Sequence, residues 1–402
     1  MQRAATSPSI PDLIGAYDPG HALAQGFYLR QDVFDQDMAL LLGRWTCVGH
    51  VSEVAAAGDW LTAELGVESA IVVRGEDEVL RAFYNVCRHR GSRICVEDRG
   101  SATVLTCPYH AWSYHLDGRL RGAREMPAEF NGADHGLQPL PLKDIGGLIF
   151  ISFGDDPPAL GDAEAALSAM TRAYGWESAK AATRRRYDVA ANWKLVMENY
   201  HECYHCAPAH PEFSAVHTLA RPHARRLRTG PAPATGVADF EAWASAPDGR
   251  EVARVMRSEL SEGCESGSAD GASVAPLMGS NGACVFAELG FLSAFLAYPD
   301  YGVIYRFVPR AVLETRMEVI WLVRGDAVEG RDYTLDRLTW LWDVTSVADK
   351  RIIETNQAGV RSRAYRPGPF SLMEPGTQAY VERYVSELEA CLPARRGGRV
   401  TP

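Results

Sequence analysis

The chain has 402 residues, 47% of them apolar and 23% charged, with a formal net charge of −10. That length leaves room for two or three domains with a sizeable core, and the composition is globular, which excludes a disordered or fibrous chain. The negative balance argues against a nucleic-acid partner, and no apolar run reaches the ~18 residues of a membrane span.

The leader MQRAATSPSIPDLIGAYDP lacks the long apolar stretch of a signal peptide. Nine cysteines are too sparse for a disulfide scaffold. Free or metal-bound thiols in the cytoplasm are therefore expected. Residues 31–43 read as a short helix ending at Gly43. From Trp45 the texture changes to short β-type runs at 45–51, 70–75 and 79–86, the last two split by a hairpin tip at Glu76-Asp77-Glu78. The run 103–118 continues the pattern to the turn signal Asp117-Gly118, and 146–154 closes it with a buried strand.

Beyond this block, 161–180 and 190–206 have helical spacing. The Gly/Ser/Ala-rich run 263–283 reads as a mobile surface loop. Residues 303–310 and 316–325 read as antiparallel strands, and the chain returns to helix from Asp332. Strands in one block, then a sheet-plus-helix block, argue for an α+β fold with two domains. The expected division is an N-terminal segment 1–44, a β domain 45–155 and a larger domain 156–402.

Two constellations carry chemistry. Cys87-Arg88-His89 and Cys107-Pro108-Tyr109-His110 each follow a strand and each offer one thiolate and one imidazole. That set suits a 2Fe–2S cluster with two Cys on one iron and two His on the other. Neutral imidazoles make such a cluster easier to reduce than an all-thiolate one. Structural zinc is the rival, but zinc fingers usually pair Cys with Cys and His with His along the chain.

The second constellation is NWKLVMENYHECYHCAPAHPEF, residues 192–213. Glu202 and His205 are three apart, on one face if helical. His210 lies about 140° further round a regular helix, so Pro208 and Pro211 are expected to distort the path and bring the two imidazoles together. Oxygen-activating iron(II) commonly sits between two His and one carboxylate. Asp336 and Asp343 project away from the face shared by Leu335, Leu338, Trp342 and Thr345 and are expected to be solvated. Asp349 shares a spacing with Ile352, Ile353 and Asn356 that turns it inward, and it is the expected third ligand. Cys203 and Cys206 raise a zinc half-site as a rival, without a second Cys pair to complete it.

CRHRG…CPYHAWSY resembles the Rieske motif of oxygenases, and 192–213 resembles the catalytic core of Rieske non-haem iron oxygenases. Cys95 has no matching Cys beside His110, unlike the disulfide-bearing Rieske proteins of respiratory complexes. The resemblance runs from about Tyr28 to Tyr384 and implies a helix-grip, START-like antiparallel sheet for the catalytic domain. It implies that Cys87, His89, Cys107 and His110 hold the 2Fe–2S cluster, and that His205, His210 and Asp349 hold mononuclear Fe(II). It also implies a homotrimer in which Glu202 bridges His205 to His110 of the next subunit. Most of the family has Asp there. Glu, with ENYHECYHC and YRPGPFS, resembles the glycine betaine monooxygenase and stachydrine demethylase branch, which acts on small quaternary ammonium compounds.

The implied reaction is O2-dependent hydroxylation of an N-methyl group, releasing formaldehyde. No G-x-G-x-x-G fingerprint follows a strand, so a separate NAD(P)H-dependent flavin or ferredoxin-type reductase is expected as partner. A quaternary ammonium is held by aromatic faces. Tyr200 is the expected substrate contact, with Phe286, Phe291, Phe295, Tyr298, Tyr301 and Tyr305 as a wider pool. Choline or carnitine oxidation, aromatic-ring hydroxylation and a non-catalytic redox module are the competing readings.

Overall fold

The structure, a computed structural model, describes residues 8–216, 273–279 and 285–392. Most of the run 263–283, with Cys264 and Cys284, lies outside them. Three helices open the chain: α1 (Ile10–Gly15), α2 (Gln25–Leu29) and α3 (Gln31–Leu42). A capping box between Ser9 and Asp12 starts α1, and Gly43 ends α3.

Eleven short strands follow: β1 (Thr46–His50), β2 (Asp59–Leu65), β3 (Glu68–Arg74), β4 (Leu80–Tyr84), β5 (Arg99–Ser101), β6 (Leu105–Thr106), β7 (Ser113–Tyr114), β8 (Leu120–Gly122), β9 (Pro139–Leu140), β10 (Leu142–Ile145) and β11 (Leu148–Ile151). They form antiparallel sheets ordered β5-β2-β3-β4-β9, β6-β7-β8 and β1-β11-β10. The β3–β4 hairpin turns at the expected acidic tip, where Glu78 adopts φ 61°. The run 103–118 divides into β6 and β7 because Cys107–Trp112 closes into a loop between them.

The rest comprises α4 (Asp162–Ala173), β12 (Ala179–Val189), α5 (Trp193–Tyr200), α6 (Cys206–Ala209), α7 (Pro211–Val216), β13 (Val285–Leu289), β14 (Ser293–Ala297), β15 (Gly302–Ala311), β16 (Glu314–Arg324), α8 (Leu335–Val360) and α9 (Pro375–Cys391). One antiparallel sheet, β12-β16-β15-β14-β13, organises it. Alternation divides its side chains. Val303, Tyr305 and Trp321 face the core that holds Trp193, Leu338, Trp342 and Tyr384. Phe295, Ile304 and Ile320 face a second core with Phe150, Leu167 and Trp176.

Strand β12 is not apparent in the sequence, because arginines occupy its inner positions. Arg184 reaches Glu53 and Glu318, each at 3.0 Å, and Arg186 reaches Glu318 at 2.7 Å. Arg306 also pairs with Glu318 and donates to the Cys47 carbonyl at 2.8 Å. This buried ion cluster ties the N-terminal β region to the large sheet. The helix expected over 190–206 stops at Tyr200. Among the described residues, no helix is long and apolar enough to cross a membrane.

Candidate active site

The two Cys/His segments fold into matching loops. The Gly91 amide donates to the Cys87 carbonyl at 2.9 Å, and the Ala111 amide donates to the Cys107 carbonyl at 3.0 Å. Both closing residues have positive φ, 78° for Gly91 and 57° for Ala111. Cys87 and Cys107 are buried, whereas His89 and His110 are exposed with ring centroids 4.6 Å apart. Trp112 stacks on His89 at 4.8 Å, and Tyr114 Oη lies 3.3 Å from Cys87 Sγ. Burial pushes the Cys87 thiol up, and nearby Cys107 adds to the rise. Two thiols inward and two imidazoles outward is the donor set of a mixed Cys/His 2Fe–2S cluster, so these residues fit that group. Cys95 is a free thiol, and its carbonyl accepts from Asn85.

The second site depends on how α5 is fixed. Asn192 caps it, accepting from the Lys194 amide at 3.0 Å, and its own amide nitrogen donates to Gln357 Oε1 on α8 at 2.8 Å. Lys194 pairs with Asp37 of α3 at a fully buried position. Trp193 Nε1 and Tyr384 Oη donate to the same carboxylate at 3.0 and 2.7 Å. The Asn-Trp-Lys segment therefore anchors α5 to α3, α8 and α9.

Beyond Tyr200, Glu202 and His205 sit in a turn rather than on one helix face. Glu202 Oε2 accepts from the Tyr204 and His205 amides, and Oε1 is bonded to His205 Nδ1. A Cys203–Cys206 disulfide closes the same turn. This corrects the expectation of free or metal-bound thiols for that pair, and it removes the zinc half-site. One turn of helix, α6, then leads to His210 at its C-terminal cap, where the path breaks before Pro211.

That path brings His205, His210 and Asp349 together, with ligand atoms within 4.8 Å of one another. Asp349 Oδ1 lies 2.8 Å from His210 Nε2 and 3.3 Å from His205 Nε2. Burial pushes the Asp349 carboxyl up, but the hydrogen bonds from His205 and His210 outweigh it and the net shift is downward. Two imidazoles and one carboxylate converging on one point fit a divalent iron. On α8, Ile353 is buried and Ile352 half-buried, but Asn356 is exposed, so the inward stripe is narrower than the spacing predicts. Asp336 is exposed as expected. Asp343 is not simply solvated, for it pairs with Arg185 at 2.7 Å and accepts from Tyr187 Oη at 2.5 Å.

The aromatic pool separates by strand parity. Tyr200 packs on Tyr305 and Phe307, with centroids at 5.5 and 5.3 Å. Tyr305 also meets Trp342 at 5.9 Å and shares a 2.7 Å hydrogen bond with Ser346. Tyr298 and Tyr301 stack on each other at 4.6 Å. Phe295 points to the opposite face, against Phe150 and Trp176, and Phe291 packs on Trp193 and Tyr380. The Phe286 side chain lies outside the described residues.

Four neighbours were not singled out from the sequence. Asn199 lies 3.4–3.5 Å from both His205 ring nitrogens, Phe213 packs edge-on to His210, and His201 pairs with Glu288. Asn199 and His201 sit inside the ligand segment, a signal that was available. Phe213 closes the same segment, whereas Glu288 had no such signal, because its approach depends on the sheet.

Residues 44–141 match the family described as Rieske [2Fe-2S] domain, and 176–390 match the ring hydroxylating alpha subunit (catalytic domain). The chain is 38% identical over 377 residues to a glycine betaine monooxygenase oxygenase subunit of Pseudomonas aeruginosa, covering 90% of this chain and 87% of that one. A protein of the same description from Chromohalobacter salexigens is 36% identical over 414 residues, covering 97% and 92%. A crystal structure of the quaternary ammonium Rieske monooxygenase CntA with L-carnitine aligns at TM-score 0.68 and 26% identity, covering 94% of this chain and 97% of that one.

Proposed function

This chain belongs to the Rieske non-haem iron oxygenase alpha subunits, and from that premise we propose that it hydroxylates an N-methyl group of a small quaternary ammonium compound. The observation that carries the reading is the convergence of His205, His210 and Asp349 beside an aromatic wall, in a chain similar over nearly its whole length to glycine betaine monooxygenase subunits. Cys87, His89, Cys107 and His110 hold the 2Fe–2S cluster, and His205, His210 and Asp349 hold Fe(II). When bound, the cluster supplies electrons from a separate NAD(P)H-dependent reductase, and the iron supplies O2 activation.

The chain's own residues do the rest. Glu202 bonds to His205 Nδ1, which fixes the ring so that Nε2 faces Asp349. In a trimeric ring, the same acid faces the exposed imidazole of a neighbouring subunit's His110. Tyr200, Tyr305 and Trp342 offer aromatic faces to a trimethylammonium group, which has no N–H to donate. The reaction takes one O2, two electrons and two protons and gives a hydroxymethyl ammonium and water. That product then loses formaldehyde and a proton, leaving the tertiary amine.

The test is turnover in air with NADH and a surrogate reductase, across glycine betaine, stachydrine, choline, carnitine and benzoate. Formaldehyde equal to the demethylated amine from one betaine is expected. Oxidised choline, cleaved carnitine or hydroxylated benzoate in its place would overturn the N-demethylation reading.

A further inference from the structure

On the sheet face that meets α5 and α8, Glu288 of β13 is the strands' only carboxylate among the described residues. It is 6% exposed. Its row neighbours across β14, β15 and β16 are Ala294, Tyr305 and Val319. None of these offers a charge, and the next residue in the row, Arg185 of β12, is paired with Asp343.

Only half of that carboxylate is engaged. Oε2 lies 2.7 Å from His201 Nε2. The other ring nitrogen, Nδ1, faces the Met197 carbonyl at 2.5 Å, so acceptor oxygens meet both ring nitrogens and each of the two hydrogen bonds holds a proton. His201 thus ties α5 to Glu288, with Tyr380 tilted against its ring at 4.1 Å. Among the described residues, Glu288 Oε1 has no hydrogen-bond partner, and neither has Tyr200 Oη. Both are buried polar atoms, which proteins ordinarily satisfy. The Tyr200 ring lies 6.3 Å from that of His201 and 5.5 Å from that of Tyr305, the residue two strands along the Glu288 row. Burial pushes its hydroxyl up, and the Glu288 and Asp349 carboxylates add to the rise.

We propose that Glu288 Oε1, together with Tyr200, is the contact that selects a cationic substrate at this site. The inference rests on the quaternary ammonium reading and deepens it. Aromatic faces tolerate any apolar group of the right size, whereas a buried carboxylate oxygen without a donor discriminates by charge. A trimethylammonium group satisfies it without needing an N–H. His201 acts as the positioning residue, occupying Oε2 so that Oε1 stays turned toward the substrate.

The experiment compares the holoenzyme's binding of glycine betaine with that of 3,3-dimethylbutanoate, which has the same shape with carbon in place of nitrogen. The wild type should prefer the cation by roughly tenfold or more, the scale of one desolvated charge contact. Glu288→Gln should lose most of that preference, with KM rising more than kcat falls, while the iron content and the 2Fe–2S spectrum are kept. Glu288→Asp, which retains the charge, should restore part of it and decides the matter should Glu288→Gln fail to fold. A variant without the carboxylate that keeps the wild-type ratio would overturn the inference and leave the demethylase reading standing. A wild type that converts no quaternary ammonium compound would overturn both.

Discussion

Glu198 sits on α5, two residues before Tyr200, with its carboxylate facing Tyr28 Oη at 2.8 Å. Burial pushes its pKa from the usual 4.5 up to about 8, against the smaller downward pull of the Tyr28 hydrogen bond and the Lys194 ammonium. The folded protein therefore holds a proton that the unfolded chain releases. The associated stability is fully present below pH ~4.5 and is lost as pH rises through about 8. At ~1.36 kcal/mol per pH unit, the ceiling on that loss is roughly 4–5 kcal/mol. Glu198→Gln keeps the shape and a neutral acceptor for Tyr28 but removes the titration. At pH 5 the variant should lie within about 1 kcal/mol of wild type, the scale of one altered neutral hydrogen bond. Near pH 9 it should be the more stable of the two. Urea midpoints at both pH values, at fixed salt and read by tryptophan fluorescence, measure the difference. Parallel pH slopes for the two proteins would refute the reasoning, because they would mean that Glu198 binds no extra proton when folded.

Other outcomes follow from the same geometry. Asp349→Ala should lower iron from about three to about two atoms per chain while keeping the 2Fe–2S spectrum, since the cluster ligands lie in other loops. An unchanged iron count would remove Asp349 from the ligand set. Glu202→Gln should keep both metals yet cut turnover by at least ~100-fold, as the acid aligning His205 loses its charge. Normal product formation would reject that role. Arg306→Met should cost about 3 kcal/mol in denaturant titration, because Glu318 loses one cation and the Cys47 carbonyl loses its donor. A change under ~1 kcal/mol would mean that Arg184 and Arg186 suffice.

Local order determined much of this protein. The two Cys/His loops are legible because each carries its Cys and His within four residues, closed by a backbone bond inside the same loop. His205 and His210 are legible because they share one short segment with Pro208 and Pro211 to bend it, and Asp349 because an acid on a partly apolar helix face demands a partner. Strands β3, β4, β15 and β16 announce themselves through β-branched and aromatic runs. Tertiary structure alone decided the rest. Strand β12 exists because Glu53, Glu318 and Asp98, far apart in sequence, neutralise its arginines. The turn from Glu202 to Cys206 is set by backbone amides capped by a side chain and by a disulfide, neither visible in residue spacing. Which aromatics share a face with α5 and α8 follows strand parity, which puts Tyr305 in the core beside those helices and Phe295 against the opposite core. Glu288 meets His201 only because an edge strand crosses the end of α5. A contact between residues 87 positions apart is fixed by sheet register, and no local pattern encodes it.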